Sequence, residues 1–224
     1  ICEDVPVDGT VEFSDFPDPK RVGVDTLVAG LDTVVIGFDL TADGDSIVAG
    51  TIINSVFQAV GVRLAAVLTN GPHVGDVADT QALDSGEAPN LLSQVGISPP
   101  NILSAVDPDL GPQYSGGVAG LATLIVTFVT PSGEPAKVSQ VGAFNDLIFG
   151  NNTLTAYAGP DASGRVLGTV SAAGRGDFFG FGSSAGIASV TFSGYSTEID
   201  DLVFTPVFVD CNDNGVPDRC DVVS

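Results

Sequence analysis

Short apolar runs recur along most of the chain, separated by clusters of Gly, Pro, Asn and Asp. "DTVVIGFDL" (32–40), "VRLAAVLT" (62–69), "LATLIVTFVT" (121–130) and "IASVTFSG" (187–194) are the clearest. Their Val, Ile, Thr and Phe suit a pleated, half-buried surface, and turn residues at each end predict strands rather than helices. With 28 Gly and 14 Pro, hardly a window of a dozen residues is left for a clean amphipathic helix. "NSVFQAVGVRLAAVL" comes nearest, and Gly61 interrupts it. The class this pattern predicts is all-β, a β-sandwich. The longest apolar stretch, "GVAGLATLIVTFV" at 117–129, is shorter than the roughly 18 residues a membrane helix needs, and its β-branched content predicts a buried strand.

Between about 70 and 116 the alternation weakens through "TNGPHVGDVADTQALDSGEAPNLLSQVGISPPNILSAVDPDLGPQYSGG", which predicts a long loop region. Loops of such length inside a compact domain are usually functional. From 138 the strand signal resumes in "KVSQVGAFN", "RGDFFGFGSS" and "GIASVTFSGYSTEIDDLVF". Within it "TLTAYAGPDASGRVLGTV" predicts a hairpin whose turn runs from Gly159 to Gly164.

The order "VGAFN…TLTAYAGPDASGRVLGTV…FFGFGSSAGIASVTFSG…EIDDLVF", covering 138–204, resembles the C-terminal half of the jelly-roll, carbohydrate-binding-module-like domains of secreted bacterial proteins. A looser match runs through "VEFSDFP" (11–17) and "GTIINSVFQAVGVRL" (50–64). The resemblance implies a jelly-roll-like sandwich over 1–206. It also implies a structural calcium between the first and last strands, for which Asp200 or Asp201 with Glu12 or Asp15 would supply oxygens; a solvated strand end is the plainer reading of the same residues.

Charge narrows the partners. Seven basic against 28 acidic residues leave a net charge of −21, which repels phosphate backbones and anionic membrane surfaces, so neither nucleic acid nor membrane insertion is expected. An excess of carboxylates suits divalent cations. At 224 residues, 44% hydrophobic and with a mean hydropathy of +0.35, the chain has material for one large core. It begins at Ile1 and holds three cysteines, so a removed secretory leader and an extracellular or cell-surface location are expected if those cysteines are oxidised.

One segment concentrates candidate chemistry: "DCNDNGVPDRCD", Asp210 to Asp221. Calcium needs six to eight hard oxygens converging from a short, bent segment, and the EF-hand loop supplies them from its positions 1, 3, 5, 7, 9 and 12. With Asp210 at the first, Asn212, Asn214, the Val216 carbonyl, Asp218 and Asp221 fall in the others, and Gly215 takes the turn position. Asp221 stands where the EF-hand has a longer Glu. The segment resembles the calcium loops of dockerins and thrombospondin type 3 repeats, which sets 207–224 apart as a C-terminal calcium loop. Cys211 and Cys220 occupy positions that supply no oxygen, so a disulfide between them would staple the loop without competing for the ion. That pairing leaves Cys2 free or joined to another molecule, and the other pairings would tie Cys2 to the loop. Zinc fits poorly, because the single histidine, His73, is far away in sequence.

No catalytic set stands out: no Ser has a G-x-S-x-G context, and there is no H-E-x-x-H. The expectation is a non-enzymatic protein. Stacking on sugars is disfavoured by the lack of Trp and by only three Tyr, at 114, 157 and 195, although a calcium-bridged polysaccharide site escapes that objection. The function expected is a structural subunit of an extracellular fibre or surface layer. It would self-associate through its terminal arms or strands, with "VDGTVEFSDF" as the arm. A calcium-dependent carbohydrate-binding module is the alternative.

Overall fold

In a computed structural model, residues 34–69, 75, 77–84, 101–106, 122–145, 152–172, 174, 176–194 and 197–207 are described. They form eleven antiparallel strands. In chain order these are β1 (Val34–Ile36), β2 (Val62–Leu68), β3 (Val77–Asp84), β4 (Asn101–Val106), β5 (Ala122–Phe128) and β6 (Val138–Asn145). There follow β7 (Thr153–Tyr157), β8 (Val166–Ser171), β9 (Phe178–Ile187), β10 (Ser189–Ser193) and β11 (Glu198–Phe204).

One sheet runs β8-β7-β10-β5-β2 and the other β4-β11-β6-β9. Along the chain from β4 to β11, successive strands change sheet at every step except the β7–β8 hairpin. This interleaving of four strands with four is the jelly roll, an all-β sandwich. β2 extends the first sheet beside β5. β3 spans the corner, pairing Val77 and Ala78 with β2 and Asp79 to Asp84 with β4. β1 adds to the second sheet along the far half of β11, from Val34 opposite Phe204 to Ile36 opposite Leu202.

Alternation decides what faces inward. In β2 the buried residues are Val62, Leu64, Ala66 and Leu68, with Arg63 and Ala65 exposed between them. Leu124, Val126, Leu154, Val190 and Phe192 join them from the first sheet, meeting Val141, Ala143, Phe179, Ile199, Leu202 and Phe204 from the second. The sheets are locked by aromatic contacts across the core: Phe179 meets Phe192 edge to face at 5.6 Å, and Phe128 meets Phe204 at 5.4 Å. The helix-like pattern over 54–68 resolves as foreseen around Gly61. A 3-10 turn, Gln58–Val60, ends at Gly61 with φ +101°, and β2 starts at the next residue. Any Cβ at Gly61 would be both in a left-handed conformation and 2.7 Å from Val207.

The hairpin predicted around Gly159–Gly164 is present, with Tyr157 opposite Val166. The 70–116 stretch is not the loop region that its weak alternation predicts: β3 and β4 lie within it and pair over six residues. Alternation failed as a signal because β4 is buried on both faces. Its Asn101, Ile102, Leu103 and Ser104 are all buried in succession, so polar and apolar positions do not alternate with exposure.

Candidate functional site

β11 is buried along its whole length although its sequence is "EIDDLVF". Ile199, Leu202 and Phe204 enter the core, while strand alternation puts Glu198 and Asp200 on the opposite face. That face is closed as well, for Phe144, the partner of Asp200 on β6, is 2% exposed. Glu198, Asp200 and Asp201 are 5%, 1% and 3% exposed, and all three are engaged by neighbours. Burying three carboxylates on one strand is costly unless each is compensated. Part of the compensation is local: the Asp201 N–H donates to Asp200 Oδ1 at 2.8 Å.

This contact accompanies a break in the ladder. The β11–β6 register shifts between Asp200 and Val203, and Asp201 takes φ +42°, the left-handed region. The bulge breaks the regular alternation at Asp201, which is among the residues lining a cleft of about 420 Å³. Val34, Val35 and Ile36 of β1, the 37–42 segment, and Phe57 and Val60 line the rest of it. Asp39 also lines this cleft, and its Oδ1 accepts the Asn101 N–H at 2.8 Å. Asn101 in turn donates through Nδ2 to the carbonyls of Phe38 (3.2 Å) and Ile47 (2.9 Å), which ties the 38–47 hairpin to the start of β4.

A second buried polar group lies at the end of the second sheet. The Asn152 side chain, fully buried, donates to Asn145 Oδ1 at 2.8 Å and to the Glu198 carbonyl at 2.9 Å, while Asn145 donates to the Gly174 carbonyl at 2.8 Å. This network closes the sandwich where β6, β7 and β11 meet.

On the outer face of the first sheet, cross-strand register aligns hydroxyl side chains in rows. Ser171, Thr153, Ser193 and Thr123 lie side by side on β8, β7, β10 and β5, and Thr169, Thr155 and Thr191 form the adjoining row. Thr153 shares a hydrogen bond with Ser171 at 2.9 Å, and Thr155 with Thr169 at 3.3 Å. Tyr157 borders these rows and is half-buried.

Of the residues singled out in the sequence, Asp200 and Asp201 are therefore adjacent, buried and hydrogen-bonded to one another. Glu12 and Asp15, the calcium-loop residues Asp210, Asn212, Asn214, Val216, Asp218 and Asp221, and Cys2, Cys211 and Cys220 lie outside the described residues. Among the described residues no group of three or more His, Cys, Asp or Glu is placed to hold a metal ion, and no helix is long and apolar enough to cross a membrane. Sequence reasoning missed Asp39, Asn101 and Asn152, since nothing local distinguishes them from solvated turn residues. The chain matches no protein-family model and no curated protein. The class established is thus the all-β jelly-roll sandwich.

Proposed function

We propose that this protein is a non-enzymatic, secreted, calcium-binding building block of an extracellular fibre or surface layer, joined to its neighbours through terminal arms or strands. The observation that supports it most directly is the edge of the first sheet. Among the described strands β8 pairs only with β7, and it presents Val166 at 51% exposed with Thr169 and Ser171 exposed beside it. A strand edge of this kind is a template on which an arm from another molecule can pair, giving a filament if the addition repeats head to tail. The acidic loop from Asp210 to Asp221 supplies the calcium dependence.

Negative-stain microscopy of the native material in calcium and in chelator tests the reading. Fibres that shorten or dissolve on chelation are expected, whereas monodisperse monomers in calcium with a free Cys2 thiol would sink it. The rows of hydroxyls on the outer face of the first sheet favour a second reading, calcium-dependent binding of a polysaccharide. Glycan binding that vanishes in chelator, without fibres, would select that one.

A further inference from the structure

The cleft between β1, the 37–42 segment and the 3-10 turn is an apolar opening near the place where the C-terminal segment leaves the fold. Val34, Val35, Ile36, Leu40 and Val60 are among the walls that enclose its volume of about 420 Å³. Val35 and Leu40 are 40% and 54% exposed, two of the five large hydrophobic residues so exposed among the described residues. Walls of this kind gain from an apolar occupant that takes them out of water. Asp39 and Asp201, which also line the cleft, are engaged by neighbours, so no charged ligand is implied.

The course of the chain supplies the occupant. Val207, the last described residue, packs against Gly61, where a Cβ would come within 2.7 Å of its Cγ1, and Gly61 follows Val60 of the cleft wall. Residues 208–224, "FVDCNDNGVPDRCDVVS", continue from there. Two apolar pairs, Phe208-Val209 and Val222-Val223, bracket the residues from Asp210 to Asp221. Val209 stands two residues beyond Val207 and so within about 7 Å of it. In a calcium loop the first and twelfth positions bind the same ion, each at about 2.5 Å. A filled loop therefore returns Val222 and Val223 to the side of Val209, a short step from Val60.

We propose, on the reading of Asp210 to Asp221 as a calcium loop, that calcium seats Val222 and Val223 of the same molecule in this cleft, so that ion binding clamps the C-terminal segment onto the sandwich. Both side chains are aliphatic, like the walls they meet. The ion also offsets loop carboxylates that a chain of net charge −21 would otherwise hold off. Ion binding and burial in the cleft are then linked, each strengthening the other.

Calorimetric titration with calcium after chelation, and hydrogen exchange over residues 34–42 with and without the ion, test this on the intact protein. Calcium should slow exchange in that segment severalfold. Leu40→Gln, at an exposed wall, and the double variant V222Q/V223Q should each weaken calcium binding at least about fivefold. Combined, they should cost no more than the larger of the two, because they break the same contact. Val48→Gln, 72% exposed and outside the lining, should leave binding unchanged. Asp210→Ala separates the loop from the docking. If it abolishes calcium binding while Leu40→Gln and V222Q/V223Q bind as the parent does and exchange over 34–42 ignores the ion, the loop stands and the docking is overturned. No calcium binding in the parent, or binding that Asp210→Ala leaves intact, would overturn both. Protection that rises with protein concentration would seat the segment of a second copy there and overturn the docking within one molecule.

Discussion

The ring of Phe181, on β9, lies directly over the backbone of Gly168, on β8, where a Cβ would overlap it. The two residues belong to edge strands of opposite sheets. Gly168 is paired with the fully buried Ala156, so it faces the core, and Phe181 reaches across to close the core's open side.

Gly168→Ala should therefore destabilise the protein by about 1–3 kcal/mol through overpacking. In a Phe181→Leu background the same change should cost measurably less, because the atoms in conflict are gone. Urea denaturation of the four proteins of this cycle checks it, and strict additivity would show that the contact is not the cause.

The turn between β7 and β8 makes a second prediction. Asp161 and Ala162 are both left-handed, with φ of +51° and +56°. Asp161 Oδ1 accepts from Thr127 Oγ1 at 2.9 Å and pairs with Arg63 at 3.2 Å, and Ser189 Oγ donates to the Gly159 carbonyl at 2.6 Å. The ion pair is exposed, so Arg63→Ala should cost less than about 1 kcal/mol. Asp161→Ala should cost more, about 1–2 kcal/mol, since it also removes the Thr127 acceptor and places Ala where Asp and Asn are the better tolerated residues. Asp161→Asn should be nearly neutral. If Arg63→Ala proved the costliest of the three, the ion pair would be what anchors the turn.

At the other end of the sandwich, Asn152→Ala should destabilise by about 2–4 kcal/mol. It strips the buried donor from Asn145 Oδ1 and from the Glu198 carbonyl and leaves a cavity. Asn152→Asp should cost at least as much, because a carboxylate cannot donate to either acceptor. Thermal unfolding that matched the parent in both variants would mean that water replaces the amide.

The proposed calcium loop, Asp210 to Asp221, has its own test at its first and twelfth positions. Asp210→Ala should abolish tight calcium binding, whereas Asp221→Glu should strengthen it severalfold by restoring the longer carboxylate at the twelfth position. Isothermal titration after exhaustive chelation reads both. Unchanged affinity in Asp210→Ala would place the ion elsewhere.

Most strands were legible in the sequence because each is an alternating run closed by turn residues. β2 and β5 begin and end within a residue or two of "VRLAAVLT" and "LATLIVTFVT". The hairpin at Gly159–Gly164 was legible for the same reason: its strands are neighbours in sequence, and the turn chemistry lies between them. β3 and β4 were not, because backbone pairing holds "VADTQALD" in a strand that its own residues scarcely favour.

The sequence by itself determined the all-β class, the position of most strands and the spacing of acidic residues from Asp210 to Asp221, since each depends on residues within a dozen positions of one another. Only the tertiary structure decided which strands share a sheet, that β11 is buried on both faces despite Glu198, Asp200 and Asp201, and that Asp39 and Asp201 line one cleft. Those outcomes depend on contacts between segments far apart in the chain, and on a bulge whose cost is borne only because β1, β4 and β6 hold β11 from both sides.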